Sequence, residues 1–101
     1  MKMTEDLTRE ALAESLNSKF LMRLENAAPL ELTLVSVTEL PSAVGQEQFS
    51  LIFGAPQNAP IAQGIYQLEH ERFGLFGIFL VPIGQDQEGV RYEALFNRLS
   101  L

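Results

Sequence analysis

From residue 20 onward, the chain alternates between apolar and polar side chains with a period of two residues. Phe20, Met22 and Leu24 fall on one side of an extended chain, and the residues between them fall on the other. Successive side chains of a β-strand point to opposite faces, so this period predicts strands rather than helices. Related patterns recur between turn-forming residues, and the predicted strands are residues 20–25, 30–40, 48–53, 65–71, 75–83 and 90–99.

The connections between these segments are mostly short, which favours antiparallel pairing of consecutive strands, because parallel pairs need long crossovers. We therefore expect a mainly β fold of about six antiparallel strands in meander order, forming a rolled sheet or small barrel. A two-layer sandwich is the alternative. In residues 30–40 the apolar phase changes after Leu34, which predicts a β-bulge there. Residues 26–29 are expected to form a hairpin loop, and Pro82 is expected to end a strand.

The segment before the strands predicts one short helix. Thr8 has the hydroxyl of a typical N-cap, so the helix should begin at Arg9 and end at Ser15 or Leu16, within residues 7–17. We expect this helix to plug one open end of the sheet or to cover an edge. A chain of 101 residues has the size of one domain, with residues 1–6 flexible and residues 19–99 forming the sheet.

The composition argues against several classes of function. The chain has no cysteine, which excludes disulfides, thiolate metal sites and cysteine nucleophiles. Its net charge is −6 and its seven basic residues are scattered, so we expect neither nucleic acid nor a membrane as a partner. The residues after Met1 lack the apolar core of a secretory signal, and a cytoplasmic protein is therefore expected.

His70 is the one histidine, and Glu69 and Glu71 flank it. In a strand both carboxylates would point away from His70, so neither is positioned to orient it as a general base. We expect a structural or surface role for His70, and a hydrolase-type enzyme that uses it is the less favoured alternative. One histidine beside carboxylates is also too few ligands for zinc. We therefore expect no catalytic residues, no metal and no cofactor.

Two segments predict contact with a partner. Residues 75–83 are apolar on both faces, so if one face enters the core, Leu75, Phe79 and Val81 on the other must be covered by the helix or by a partner. Residues 54–64 form a long loop, and long ordered loops on a rigid sheet often carry binding residues. The candidate contacts in this loop are Pro56, Asn58, Pro60, Ile61 and Gln63. The alternative is that the loop is only a rigid connection.

These features favour a non-catalytic interaction or assembly module that docks on another protein or self-associates into a homo-oligomer. The alternative is a β-barrel that binds a small molecule in an internal cavity. That cavity would be lined by six aromatic residues, Phe49, Phe53, Tyr66, Phe76, Tyr92 and Phe96.

The segments 49–56, 63–70, 79–84 and 91–97, with their glycine, proline, histidine and asparagine positions, resemble a family of small uncharacterised bacterial β-rich domains. The resemblance extends from Leu7 to Asn97. Because that family has no assigned activity, the resemblance implies a shared fold and no catalytic residues. It also implies an accessory role beside phage-tail-like collar proteins.

Overall fold

A computed structural model describes residues 5–99, which form one short helix and six antiparallel strands. The predicted mainly β fold is therefore confirmed. In chain order the elements are α1 (Arg9–Ala13), β1 (Lys19–Leu24), β2 (Ala27–Leu40), β3 (Gln46–Ala55), β4 (Gly64–His70), β5 (Gly74–Asp86) and β6 (Gly89–Leu99). Within the described range, no helix is long and apolar enough to cross a membrane.

The strands close into a barrel in the order β1-β2-β3-β6-β5-β4. Consecutive strands pair within two three-stranded units, but the predicted meander order is wrong at the connection between them, because β3 pairs with β6 and β1 pairs with β4. β3 and β4 lie on opposite sides of the ring, and residues 56–63 join them. Eight extended residues reach about 26 Å, which is enough to cross the barrel mouth. A connection of this length does not force β3 and β4 to be neighbours.

The predicted bulge in β2 is confirmed. The pairing of β2 with β3 shifts register between Leu34 and Ser36, which leaves Val35 as the extra residue. The bulge bends the strand and reverses which residues face inward. The change of apolar phase in the sequence therefore has a direct structural counterpart.

The β1–β2 hairpin is tighter than predicted. Its turn is two residues long and has Asn26 at φ 59°, and β2 already begins at Ala27, so the predicted loop over 26–29 is wrong. Pro29 is accommodated inside β2 because pairing with β3 begins only at Thr33. Proline has no backbone N–H to donate, so a strand tolerates it where no partner strand is paired along that edge.

The strand that contains Pro82 also continues further than predicted, to Asp86. The pairing of β5 with β4 stops at Leu80, and the pairing with β6 shifts register between Pro82 and Gly84. This irregular stretch accommodates a residue that lacks an N–H. The expectation that Pro82 ends a strand is therefore wrong.

The helix lies at one end of the barrel, which is the first of the two predicted positions, and it is shorter than expected. Thr8 is the N-cap and accepts a hydrogen bond from the Ala11 N–H at 3.1 Å. Ala11 and Leu12 are buried in the core. Residues 1–4 of the segment predicted to be flexible lie outside the described residues. The largest fully buried side chains fill the barrel between its ends, and they are Tyr92, Phe20, Phe49, Phe53, Leu12, Met22, Leu32, Leu34, Leu51, Leu68, Leu80 and Val90.

Candidate functional site

Strand β5 places apolar side chains on both surfaces of the barrel wall. On the inner surface, Leu80 is fully buried and Ile78 is 8 % exposed. On the outer surface, Leu75 is 57 % exposed and Phe79 is 50 % exposed. Large apolar side chains grouped on a protein surface are typical of interaction sites.

The strand register extends this apolar surface onto the two neighbouring strands. Phe79 lies directly opposite Ile65 on β4, and Val81 lies opposite Glu93 on β6. Leu95 follows Glu93 by two residues and therefore shares its face. Ile65 is 74 % exposed and Leu95 is 67 % exposed. We call this surface the apolar face, and it consists of Ile65, Leu75, Phe79, Val81 and Leu95.

Three of these five residues were predicted as partner contacts, and Ile65 and Leu95 were not. The sequence does carry a signal for both, because Ile65 alternates in phase with Gln67, and Leu95 lies between the inward-facing Ala94 and Phe96. That signal shows only that the two side chains point outward. Their position beside Phe79 and Val81 depends on the pairing of three strands.

The helix does not cover the apolar face. Its main contacts with the sheet are on β2, which is opposite β5 in the ring. The chain leaving the helix is held there, because the Asn17 N–H donates to the Leu34 carbonyl at 2.8 Å and the Leu34 N–H donates to the Ser18 carbonyl at 3.2 Å. Of the two predicted alternatives, cover by the helix is therefore wrong, and the face is open in the single chain.

Gly77 leaves room on the outer surface of β5 for side chains that reach across from β4. A Cβ at this position would lie 3.0 Å from Gln67 Nε2 and 3.4 Å from Ile65 Cγ2. The side chains of Ile65 and Gln67 therefore lean across β5 into the space that a side chain at Gly77 would occupy. The amide of Gln67 and the side chain of Ile65 thus lie between Leu75 and Phe79, on either side of Gly77.

One carboxylate, that of Glu93, lies within the apolar face. Ser50, which is buried, donates a hydrogen bond from its Oγ to Glu93 Oε2 at 2.9 Å. Among the described residues, Glu93 forms no ion pair. Glu69, opposite Leu75 at the edge of the face, differs because its carboxylate is 2.7 Å from the Arg23 guanidinium.

The predicted contact residues in the long loop lie at an end of the barrel rather than on its side. Ala59 is buried under the loop, Pro56 and Pro60 are half-buried, and Asn58, Ile61 and Gln63 are exposed. Two tyrosine hydroxyls at the barrel mouth donate to loop carbonyls, at 2.5 Å in both cases. They are Tyr92 to Pro60 and Tyr66 to Ala62. Burial, with a smaller effect of Tyr66, raises the pKa of Tyr92 to about 12. The loop is thus a fixed cap over the barrel mouth.

His70 is buried at the helix end of the barrel, and its hydrogen bonds determine its tautomer. Nδ1 accepts from the Arg72 backbone N–H at 3.0 Å, so the ring proton is on Nε2. Nε2 then donates to Ser18 Oγ at 2.9 Å, and Ser18 Oγ donates to the Ser15 carbonyl. Burial lowers the pKa of His70, and the nearby Glu71 carboxylate opposes this effect. A neutral imidazole that donates to the serine has no lone pair with which to deprotonate it.

The six aromatic residues predicted to line an internal cavity lie among packed core side chains. The rings of Phe49 and Phe96 stack with centroids 4.7 Å apart, and those of Tyr66 and Tyr92 are 6.1 Å apart. Cavities of about 370 Å³ and about 440 Å³ lie on the outside of the wall, and none of the six lines either of them. In the part of the chain that the structure describes, no three histidine or carboxylate side chains gather as metal ligands do.

Comparison with known proteins finds one match to a protein family. A family model described as Domain of unknown function (DUF6916) matches residues 7–96. No curated protein and no solved structure matches the chain.

Proposed function

Because the chain belongs to this family of domains of unknown function (DUF6916), we propose a function from its own surface: it is a non-catalytic module that docks on a partner protein through the apolar face. The observation that carries this proposal is that three neighbouring strands place these five apolar residues on one outer surface of the barrel. Single exposed apolar residues are common on protein surfaces, but a group of them that includes an aromatic ring is typical of an interface centre.

Phe79 is the proposed anchor of the interface. It is paired with Ile65 across the strands and has Val81 two residues further along its own strand. Aromatic residues near the centre of an interface often provide a large part of the binding free energy, because a partner that covers them removes much apolar area from water. The loss of Phe79 should therefore weaken docking more than the loss of a residue at the edge, such as Leu75.

The partner is proposed to be a different protein rather than a second copy of this chain. The chain carries a net charge of −6. If two copies packed face to face, they would also bring two Glu93 carboxylates into one apolar interface. Like charges that approach in an interface oppose association, so charge complementarity favours a partner with basic residues.

The bonding of His70 supports the non-catalytic part of the proposal. A Ser-His pair acts as nucleophile and base only when the imidazole lone pair faces the hydroxyl proton. Here the lone pair faces the Arg72 N–H and the Ser18 hydroxyl proton is directed to a carbonyl. The hydrogen bonds instead join the end of β4 to the segment after the helix.

The proposed setting of this docking is an accessory role in a multimeric assembly of the phage-tail-like kind, in bacteria. The support for it is the resemblance of the four sequence segments to small domains that accompany collar proteins. We place the module in the cytoplasm, and the support for this is the absence of cysteine, which suits a reducing compartment.

Affinity capture with a matched control tests the docking proposal. The wild type, Phe79→Ser and Val44→Ser are each immobilised and exposed to lysate of the native cell, and captured proteins are identified by mass spectrometry and then purified. Val44 is the apolar control because it is fully exposed and lies in the β2–β3 loop, away from the apolar face. We expect the purified partner to bind the wild type and Val44→Ser alike, and Phe79→Ser at least tenfold more weakly.

Two results would overturn the proposal. The first is a failure to capture any protein that binds the purified domain, or equal binding by all three variants. The second is a wild-type dimer in light scattering that Phe79→Ser dissociates, because the occupant of the apolar face would then be a second copy.

A further inference from the structure

We infer that Glu93 recognises a lysine or arginine side chain of the partner, so that the apolar face accepts a segment with apolar residues beside a basic one. This inference rests on the proposed function, since it assumes that a partner covers the face. It adds the chemistry by which that partner is selected.

Glu93 is placed for this role by its neighbours. Val81 lies opposite it on one side and Ile52 on the other, so its carboxylate rises from a largely apolar part of the wall. The hydrogen bond from Ser50 holds Oε2 in position. Within the described residues Oε1 accepts no hydrogen bond, which leaves this oxygen for a donor from outside the chain.

The arginines of the described residues are already engaged within the chain. Four of them lie within 4 Å of at least one carboxylate, namely Arg9, Arg23, Arg72 and Arg91. The fifth, Arg98, donates to the Leu7 carbonyl and lies over the rings of Phe49 and Phe96. Lys19 donates to the Thr33 hydroxyl at 2.8 Å. Among the described residues, a second copy therefore offers no unengaged guanidinium to Glu93, and its Lys19 lies on β1, opposite β6 in the ring, so a partner with its own basic residue fits better.

Docking would increase the effect of the Glu93 charge on the free energy of binding. While the face is open, water solvates the carboxylate, and an ion pair there would contribute little. When a partner covers the face, the carboxylate loses that water, and a partner without a cation leaves a desolvated charge unpaired. Glu93 would therefore act mainly by rejecting partners that are apolar alone.

Selected peptides test this inference. A random twelve-residue peptide library is panned on the full wild-type chain, and the recovered peptides are synthesised for affinity measurements by fluorescence polarisation. Affinities are measured for the wild type, Phe79→Ser, Glu93→Gln, Glu93→Arg and Glu31→Gln. Glu31 is the control because it is exposed on β2, opposite β5 in the ring, and its change removes the same charge.

We expect the peptides that require Phe79 to be enriched in lysine or arginine. Glu93→Gln should weaken their binding at least tenfold, while Glu31→Gln changes it less than twofold. The amide of Glu93→Gln can still accept the Ser50 hydrogen bond, so an unchanged melting temperature is expected for this variant. A peptide in which the basic residue is replaced by glutamate should regain affinity for Glu93→Arg.

Two results would overturn the inference. If peptides require Phe79 but bind Glu93→Gln as tightly as wild type, the apolar face binds without selecting a basic residue, and the proposed function still stands. If Glu31→Gln weakens binding as much as Glu93→Gln, net charge rather than Glu93 attracts the peptide. The separate finding that no peptide and no captured protein depends on Phe79 would remove the proposed function itself.

Discussion

The inner and outer surfaces of strand β5 carry similar side chains in different environments. On the inner surface Leu80 is surrounded by the barrel core and has no exposed area, whereas on the outer surface Phe79 keeps half of its area exposed. An apolar side chain stabilises a fold only to the extent that folding removes it from water. The inner residues therefore contribute to the free energy of folding, and the outer residues keep much of their apolar area available for binding.

The outer surface of strand β2, on the opposite side of the ring, shows what is unusual about the apolar face. Its outward residues before the bulge include Glu31 and Thr33, polar residues of the kind usually found on the solvent-exposed face of a β-strand. The outward residues of β5 include Leu75, Phe79 and Val81 instead. Closing the barrel accounts for the apolar residues on the inner side of both strands. The apolar residues on the outer side of β5 need a separate explanation, and the proposed docking would supply one.

The largest expected effect on stability comes from truncating the inner surface. Leu80→Ala removes fully buried atoms and leaves a cavity, so it should lower the free energy of unfolding by about 3 kcal/mol. The same truncation on the outer surface, Leu75→Ala, should cost less than about 1 kcal/mol. Denaturant unfolding of both variants measures the difference. Equal losses of unfolding free energy in the two variants would show that the outer surface is covered in solution. The inner and outer surfaces of β5 would then not differ.

A smaller effect is expected from the two tyrosines that hold the loop. Tyr92→Phe removes a hydroxyl from a fully buried side chain and leaves the Pro60 carbonyl without its donor, so it should cost about 1 kcal/mol. Tyr66→Phe removes an exposed hydrogen bond that water can replace, and it should cost less than about 0.5 kcal/mol. Thermal unfolding compares the two variants. A larger loss for Tyr66→Phe would contradict the placement of Tyr92 in the interior.

The smallest expected effect is the dependence of stability on pH through His70, because its side chain still has some contact with solvent. Burial holds the pKa of His70 below 6.5, so the folded chain takes up this proton at lower pH than the unfolded chain does. The stabilisation is therefore complete above pH 6.5 and declines as the pH falls from there through the lowered pKa. Unfolding measured at half-unit steps from pH 7.5 to pH 5 should show this decline. His70→Gln should flatten the curve, and an unchanged slope would assign the proton uptake to other groups.

Much of the fold is predictable from local pattern. The period of two identifies the strands, the change of phase after Leu34 identifies the bulge, and Thr8 identifies the start of the helix. Each of these depends on residues within a few positions of one another. The extent of β5 beyond Pro82 was not predictable in this way, because it depends on where its neighbours β4 and β6 stop pairing.

The candidate site is less predictable for the same reason. The sequence places Leu75, Phe79 and Val81 on one side of a strand, but it does not say what lies next to them. Ile65 and Leu95 join them only because β4 and β6 flank β5 in the ring. The pairing of β3 with β6 in turn depends on a loop that crosses the barrel mouth.

By itself, the amino-acid sequence determined which side chains share a strand face, because the alternation of Cβ directions is a property of the extended backbone. Only the tertiary structure decided which faces are neighbours, which apolar residues stay exposed, and that Glu93 lies among them. Those outcomes depend on contacts between residues far apart in the chain, where loop length and barrel closure choose among pairings that the local pattern leaves equally possible.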